Sequence, residues 1–145
     1  MEHDPTRRML LTALAGLTLA NVSRSSAATG NANVQGKSRI LVAYFSRSGN
    51  TRVIAGVIHR SLNTDLLTIE PATPYPEDYF QTVEQAKHER ERGVKPALKN
   101  SVADISRYES VYLGFPIWGT SVPPVVQTFL SSHNLAGKLL IPFIT

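Results

Sequence analysis

The sequence predicts an α/β protein built on a parallel sheet with helices on both faces. Three observations carry this. Short, mostly apolar runs of strand length recur at Ile40–Phe45, Asp65–Ile69, Ser110–Phe115 and Leu139–Ile144, and near-continuous apolar character suits strands covered on both faces. Segments of helical period alternate with them, the pattern of βαβ units. The first and third runs each give way abruptly to a small, polar or turn-forming loop, Ser46–Thr51 and Pro116–Ser121. Open parallel sheets bind ligands at the carboxyl ends of their strands, where the strand order reverses.

Residues 1–28 are expected to be a signal peptide rather than part of the fold. Arg7 and Arg8 precede the apolar run Met9–Ala20, which is too short to span a bilayer, and Ser26-Ala27-Ala28 offers small residues for cleavage. Thr6 to Leu11 resembles the twin-arginine export motif, which implies an exported, periplasmic or extracytoplasmic protein with no membrane span after cleavage. Residues 29–38, rich in Gly and Asn, read as a flexible lead-in to a domain over 39–145.

Within that domain the first strand, Ile40–Phe45, is followed by a helix over Thr51–Leu62, with Val53, Ile54, Val57 and Ile58 spaced as on one face. The strand Asp65–Ile69 leads to a loop punctuated by Pro71, Pro74 and Pro76. A second helix is predicted over Glu77–Arg92. Its acidic start and basic end complement the helix dipole, and Tyr79, Phe80, Val83 and Ala86 supply the expected buried stripe. Val94–Ser106 has no strong period. After the strand Ser110–Phe115 and its loop, Pro123 and Pro124 suit the first turn of a helix continued by Val125, Val126, Phe129 and Leu130. Gly137 breaks the chain before the strand Leu139–Ile144.

Composition narrows the functions. Of the 145 residues 42% are hydrophobic and 18% charged, a globular balance. There is no cysteine, which excludes disulfides, thiolate metal sites and phosphatases with a cysteine nucleophile. The net charge of +4 becomes about +3 once three basic and two acidic side chains of residues 1–28 are removed. No basic cluster interleaves with aromatics, so nucleic acid is not an expected partner. Glu84, His88 and Glu91 share a helix face, yet nothing else converges on them; a solvated face is the expectation, and no metal site is predicted. His59 and His133 are isolated and read as structural or exposed.

The loop Ser46-Arg47-Ser48-Gly49-Asn50-Thr51 lies between a strand and a helix, the arrangement that aims helix N-terminal amides at an anion. Gly49 lets the backbone turn and approach a ligand closely. The loop lacks the Gly-x-x-x-x-Gly-Lys pattern of nucleotide-triphosphate loops and the Gly-x-Gly-x-x-Gly dinucleotide fingerprint. A polar turn with an Asn or Thr cap and no ligand would carry similar residues. The six residues match the flavodoxin phosphate loop, Ser/Thr-x-Ser/Thr-Gly-Asn-Thr/Ser, at every position. Tyr44-Phe45 before it, Tyr75-Pro76-Glu77-Asp78-Tyr79, Arg92–Leu98 and Leu113–Gly119 with Pro123 extend the likeness, and residues 39–145 together resemble a bacterial flavodoxin-like family.

The resemblance implies FMN as cofactor, with electron-transfer or flavin-reductase chemistry and an unknown redox partner; whether the chain is itself an enzyme stays open. It implies that Ser46, Ser48, Gly49, Asn50 and Thr51 hold the phosphate, with Arg47 either adding charge or facing water. Pro116, Ile117, Trp118, Gly119 and Thr120 are expected to line the isoalloxazine, with Trp118 as the stacking residue or, alternatively, a packing residue at a strand end. The flavin carries the redox chemistry, so no catalytic acid, base or nucleophile is required. The family continues past its fourth strand, whereas this sequence stops at Thr145. The expected order is therefore 2-1-3-4, with the fifth strand and last helices absent, weaker flavin binding, and self-association through strand four. A non-catalytic binding module, or a fragment without flavin, is the alternative. A serine hydrolase is disfavoured by the lack of a Gly-x-Ser-x-Gly elbow, and a receiver domain by Pro116 at the end of strand three.

Overall fold

A computed structural model describes residues 38–145. The segment expected to be a signal peptide, and all but the last residue of the expected lead-in, lie outside the described residues. Eight elements follow one another: β1 (Ile40–Tyr44), α1 (Asn50–Leu62), β2 (Asp65–Thr68), α2 (Tyr79–Glu91), a 3-10 turn (Ile105–Arg107), β3 (Ser110–Phe115), α3 (Pro124–Ser132) and β4 (Leu139–Ile144). The four strands form one parallel sheet in the order β2-β1-β3-β4, the predicted order. β1 and β3 are central, with Leu41 opposite Val111 and Tyr44 opposite Gly114.

Side chains alternate across each strand, so the sheet has two apolar faces. On one, Leu41, Ala43 and Phe45 join Leu67, Ile69, Val111, Leu113 and Phe115 beneath Val125, Val126 and Phe129 of α3. Each buried Val, Leu, Ile or Phe among them contributes about 1.5–3 kcal/mol relative to exposure. On the other face, Val42 and Tyr44 meet Ala55 and Ile58 of α1, with Leu66, Tyr112 and Phe143. Helices thus cover both faces, and α2 lies beside α3. Pro123 precedes α3 and Pro124 opens its first turn, where the missing N–H costs nothing.

Two helix faces differ from expectation. Val53, Ile54 and Val57 of α1 are exposed, and of the predicted four only Ile58 packs on the core. The face turned to the sheet is Thr51, Ala55 and Ile58, an i, i+4, i+7 row whose small residues let the helix approach closely. In α2 the buried residues are Thr82, Ala86 and Glu89, while Tyr79, Phe80 and Val83 are exposed. Polar anchoring decides this: Thr82 Oγ1 donates to the Pro76 carbonyl at 2.6 Å, and Glu89 Oε2 accepts from the Tyr75 hydroxyl at 2.9 Å. The Glu77–Asp78 start of the predicted helix is the cap itself, with Asp78 Oδ1 accepting from the Gln81 N–H at 2.9 Å.

Candidate functional site

The loop after β1 turns on Gly49, whose φ of 96° lies in the left-handed region. Ser46 Oγ accepts from the Gly49 N–H at 3.0 Å and holds the turn, so Ser46 shapes the loop. α1 begins at Asn50 with no side-chain cap and no acid in its first turn. The amides of Asn50, Thr51 and Arg52 meet no acceptor among the described residues. α2, by contrast, is capped by Asp78. An uncapped, acid-free helix start suits an anion. Thr51 is buried, and its Oγ1 lies 2.8 Å from Thr145 Oγ1 at the end of β4, which ties the loop to the far strand. Asn50 contributes its backbone; its side chain is exposed.

The loop after β3 folds into a two-residue turn. The Trp118 N–H donates to the Ser121 carbonyl at 3.1 Å and the Trp118 carbonyl accepts from the Ser121 N–H at 3.3 Å, with Gly119 at φ 66° and Thr120 at the exposed tip. Trp118 packs edge-to-face on Phe45 at 5.2 Å and on Tyr75 at 5.0 Å. Burial, reinforced by the hydrogen bond to Glu89, pushes the Tyr75 phenol well above its usual range and keeps it protonated.

Between these two loops lies a cavity of about 340 Å³, lined at one end by Arg47, Ser48 and Thr51 and at the other by Pro116, Ile117, Trp118 and Gly119. The structure therefore brings seven of the eleven sequence-predicted residues onto one cavity. Ser46, Gly49 and Asn50 belong to the loop beside it without lining it, and Thr120 sits exposed at the turn tip, outside the lining. The third wall was missed in the sequence: Tyr79, Thr82, Val83, Ala86 and Arg90 of α2. Their signal was present as apolar residues on a helix whose tight-packing side is polar. Arg47 does not face water alone. Its Nη2 donates to the Glu77 carbonyl at 2.6 Å and its guanidinium sits 5.7 Å from the Tyr79 ring centre, joining the 46–51 loop to the start of α2.

His133 is structural. Val102 N–H donates to its Nε2 at 3.2 Å, which makes Nδ1 the protonated nitrogen that donates to the Phe129 carbonyl at 2.9 Å. Among the described residues no group of three or more His, Cys, Asp or Glu side chains converges on a point where a metal could sit.

A parallel sheet ordered 2-1-3-4, with a crevice at the carboxyl ends of its two central strands and an open helix N-terminus at one end, is a doubly wound α/β architecture, the class of fold in which ligands bind at that crevice. Residues 39–145 match the family model described as Flavodoxin, and the chain belongs to that family. Two solved structures of provisionally assigned flavoproteins are similar. One, from Bacteroides eggerthii, is 35% identical, with 72% of this chain and 69% of that chain covered and a TM-score of 0.66. The other, from Bacteroides uniformis, is 32% identical, with 72% and 70% covered and a TM-score of 0.66. A flavoprotein in complex with FMN from Lactobacillus acidophilus shares the fold at 20% identity, with 72% of each chain covered and a TM-score of 0.65. No curated protein matches the chain.

Proposed function

We propose that this chain binds FMN in the cavity between the 46–51 loop, the 116–120 turn and α2, and uses it to carry or transfer electrons. The observation that carries the reading is the polarity of that one cavity. It is rich in hydroxyls and next to free helix amides at the Ser48–Thr51 end, and aromatic and apolar at the Ile117–Trp118 end. A phosphorylated ligand with a planar ring matches both ends. The FMN complex of the Lactobacillus neighbour supports FMN over other such ligands.

The donor set fits the group. The amides of Asn50, Thr51 and Arg52 and the Ser48 hydroxyl would hold the phosphate, since charge-assisted bonds to backbone N–H groups are strong. Gly49 keeps a side chain away from that approach. Trp118, Ile117, Tyr79 and Val83 would enclose the ring and exclude water. When bound, FMN supplies the electron and hydride chemistry, and the protein holds it and sets the charge around it. Export by the twin-arginine route, which carries folded proteins, belongs to the same proposal: the flavin would be loaded before transport.

The test is incubation of the purified chain with FMN followed by desalting. The reading expects a yellow protein whose flavin absorption bleaches with dithionite and returns in air. A folded, colourless protein would overturn it and leave a flavodoxin-fold binding module.

A further inference from the structure

Among the described residues lining the cavity, the only charged side chains are Arg47 and Arg90, and no carboxylate joins them. The two cations have different settings. Arg47 is engaged by the Glu77 carbonyl and the Tyr79 ring, at the phosphate end. Arg90 projects from the last turn of α2 to the other end. Its Nη1 reaches the Trp118 carbonyl at 3.5 Å, and Nη1 and Nη2 both lie 3.8 Å from where a Cβ on Gly119 would sit. Arg90 makes no ion pair among the described residues, whose two pairs are Arg39–Glu109 and Lys99–Glu70. Its neighbour Glu89 is buried and accepts from Tyr75 and from Gln85 Nε2 at 2.9 Å. That carboxylate is occupied elsewhere, and the Arg90 charge is left beside the 116–120 turn.

We infer that Arg90 sets the redox potential of the bound flavin by stabilising its reduced, anionic form. This rests on the FMN reading above. The isoalloxazine takes up two electrons and one proton from an external electron donor, here dithionite, and so gains one net negative charge. A guanidinium a few ångströms from the ring loop stabilises that charged product and leaves the neutral oxidised ring almost unaffected. A pocket lined by acids would oppose the second electron; this one favours it. The chain is thereby suited to passing electrons in pairs rather than acting as a low-potential one-electron shuttle.

The experiment measures FMN affinity first, then the midpoint potential by equilibration with reference dyes, for the wild type, R90K and R90Q at low and high salt. R90Q is expected to lose about tenfold in its preference for reduced over oxidised FMN, a two-electron potential ~30 mV more negative. R90K keeps the charge and should stay near the wild type. Because Arg90 is exposed, the gap between R90Q and wild type should narrow in high salt. Equal potentials for wild type and R90Q would overturn the inference while leaving FMN binding intact. So would R90K falling with R90Q, since Arg90 would then act only by holding the Trp118 carbonyl. Absence of FMN binding by the wild type would overturn the underlying reading and this inference together.

Discussion

Among the described glycines Gly114 leaves the least room for a side chain, and adding one methyl group there tests the packing that supports the site. It pairs with Tyr44 of β1 on one side and Phe143 of β4 on the other, and its carbonyl accepts from the Phe45 N–H at 2.9 Å. A Cβ at Gly114 would fall 2.2 Å from Phe143 Cε2 and Cζ and 2.9 Å from Cε1. Ordinary contact begins near 3.4 Å, so a rigid ring must move by more than an ångström or a central strand must shift. Overpacking of this kind costs about 1–3 kcal/mol, and the hydrogen-bonded backbone on both sides argues for the upper part of that range. For a domain of this size ~2 kcal/mol lowers Tm by roughly 8–16 °C. The assay is urea unfolding followed by circular dichroism on Gly114→Ala, Phe143→Ala and the double variant. Shrinking Phe143 should relieve the clash, so the double variant should be at least ~1 kcal/mol more stable than additivity predicts. A neutral Gly114→Ala, or strict additivity, would refute the argument that ring and glycine are fitted to each other.

Three further outcomes follow from the same geometry. Asp78→Ala removes the cap of α2 and should cost about 1 kcal/mol in the same unfolding assay; an unchanged midpoint would show that the Asp78–Gln81 bond contributes nothing. The Tyr75 and Tyr108 phenols are both raised above 10.0, by burial first and then by their bonds to Glu89 and Asp65. A raised folded-state value means stability is fully present below pH 10 and falls as pH climbs above it, because the unfolded chain releases those protons first. Thermal melts across that range should show the loss, and Tyr75→Phe or Tyr108→Phe should flatten it; an equal slope in both variants would discard the assignment. β4 is an edge of the sheet among the described residues and exposes Leu139, Leu140 and Ile144. We propose that these exposed side chains pair with a second copy, which predicts mass rising with concentration in light scattering; a constant monomer mass would count against it.

The strands were legible in the sequence because their signal is local: a short apolar run bounded by a change in chemistry. β3 and β4 have the bounds the sequence suggested, and β1 ends one residue earlier, at Tyr44, although the Phe45 N–H still bonds across to Gly114. Both site loops were legible for the same reason, since each interrupts an apolar run with glycine and hydroxyl residues or with proline. Helix faces were not, because burial of a helix flank depends on what it meets. Tyr79, Phe80 and Val83 look like a core stripe, but Thr82 and Glu89 have partners at Pro76 and Tyr75, and these rotate α2 so that its apolar flank borders the cavity. The role of Arg47 was open in the sequence for a related reason. Its partners, the Glu77 carbonyl and the Tyr79 ring, lie thirty or more residues away along the chain and meet it only once α2 is in place.

The most direct test of the account is a paired titration of the purified chain with FMN and with riboflavin, followed by quenching of flavin fluorescence. The two ligands share the ring and differ in the phosphate, so their ratio reads the 46–51 loop alone. Saturable FMN binding at least ~10-fold tighter than riboflavin is expected, about 1.4 kcal/mol from the phosphate contacts. Equal affinities would show that the loop does not hold phosphate, and no binding of either ligand to a demonstrably folded chain would contradict the central claim.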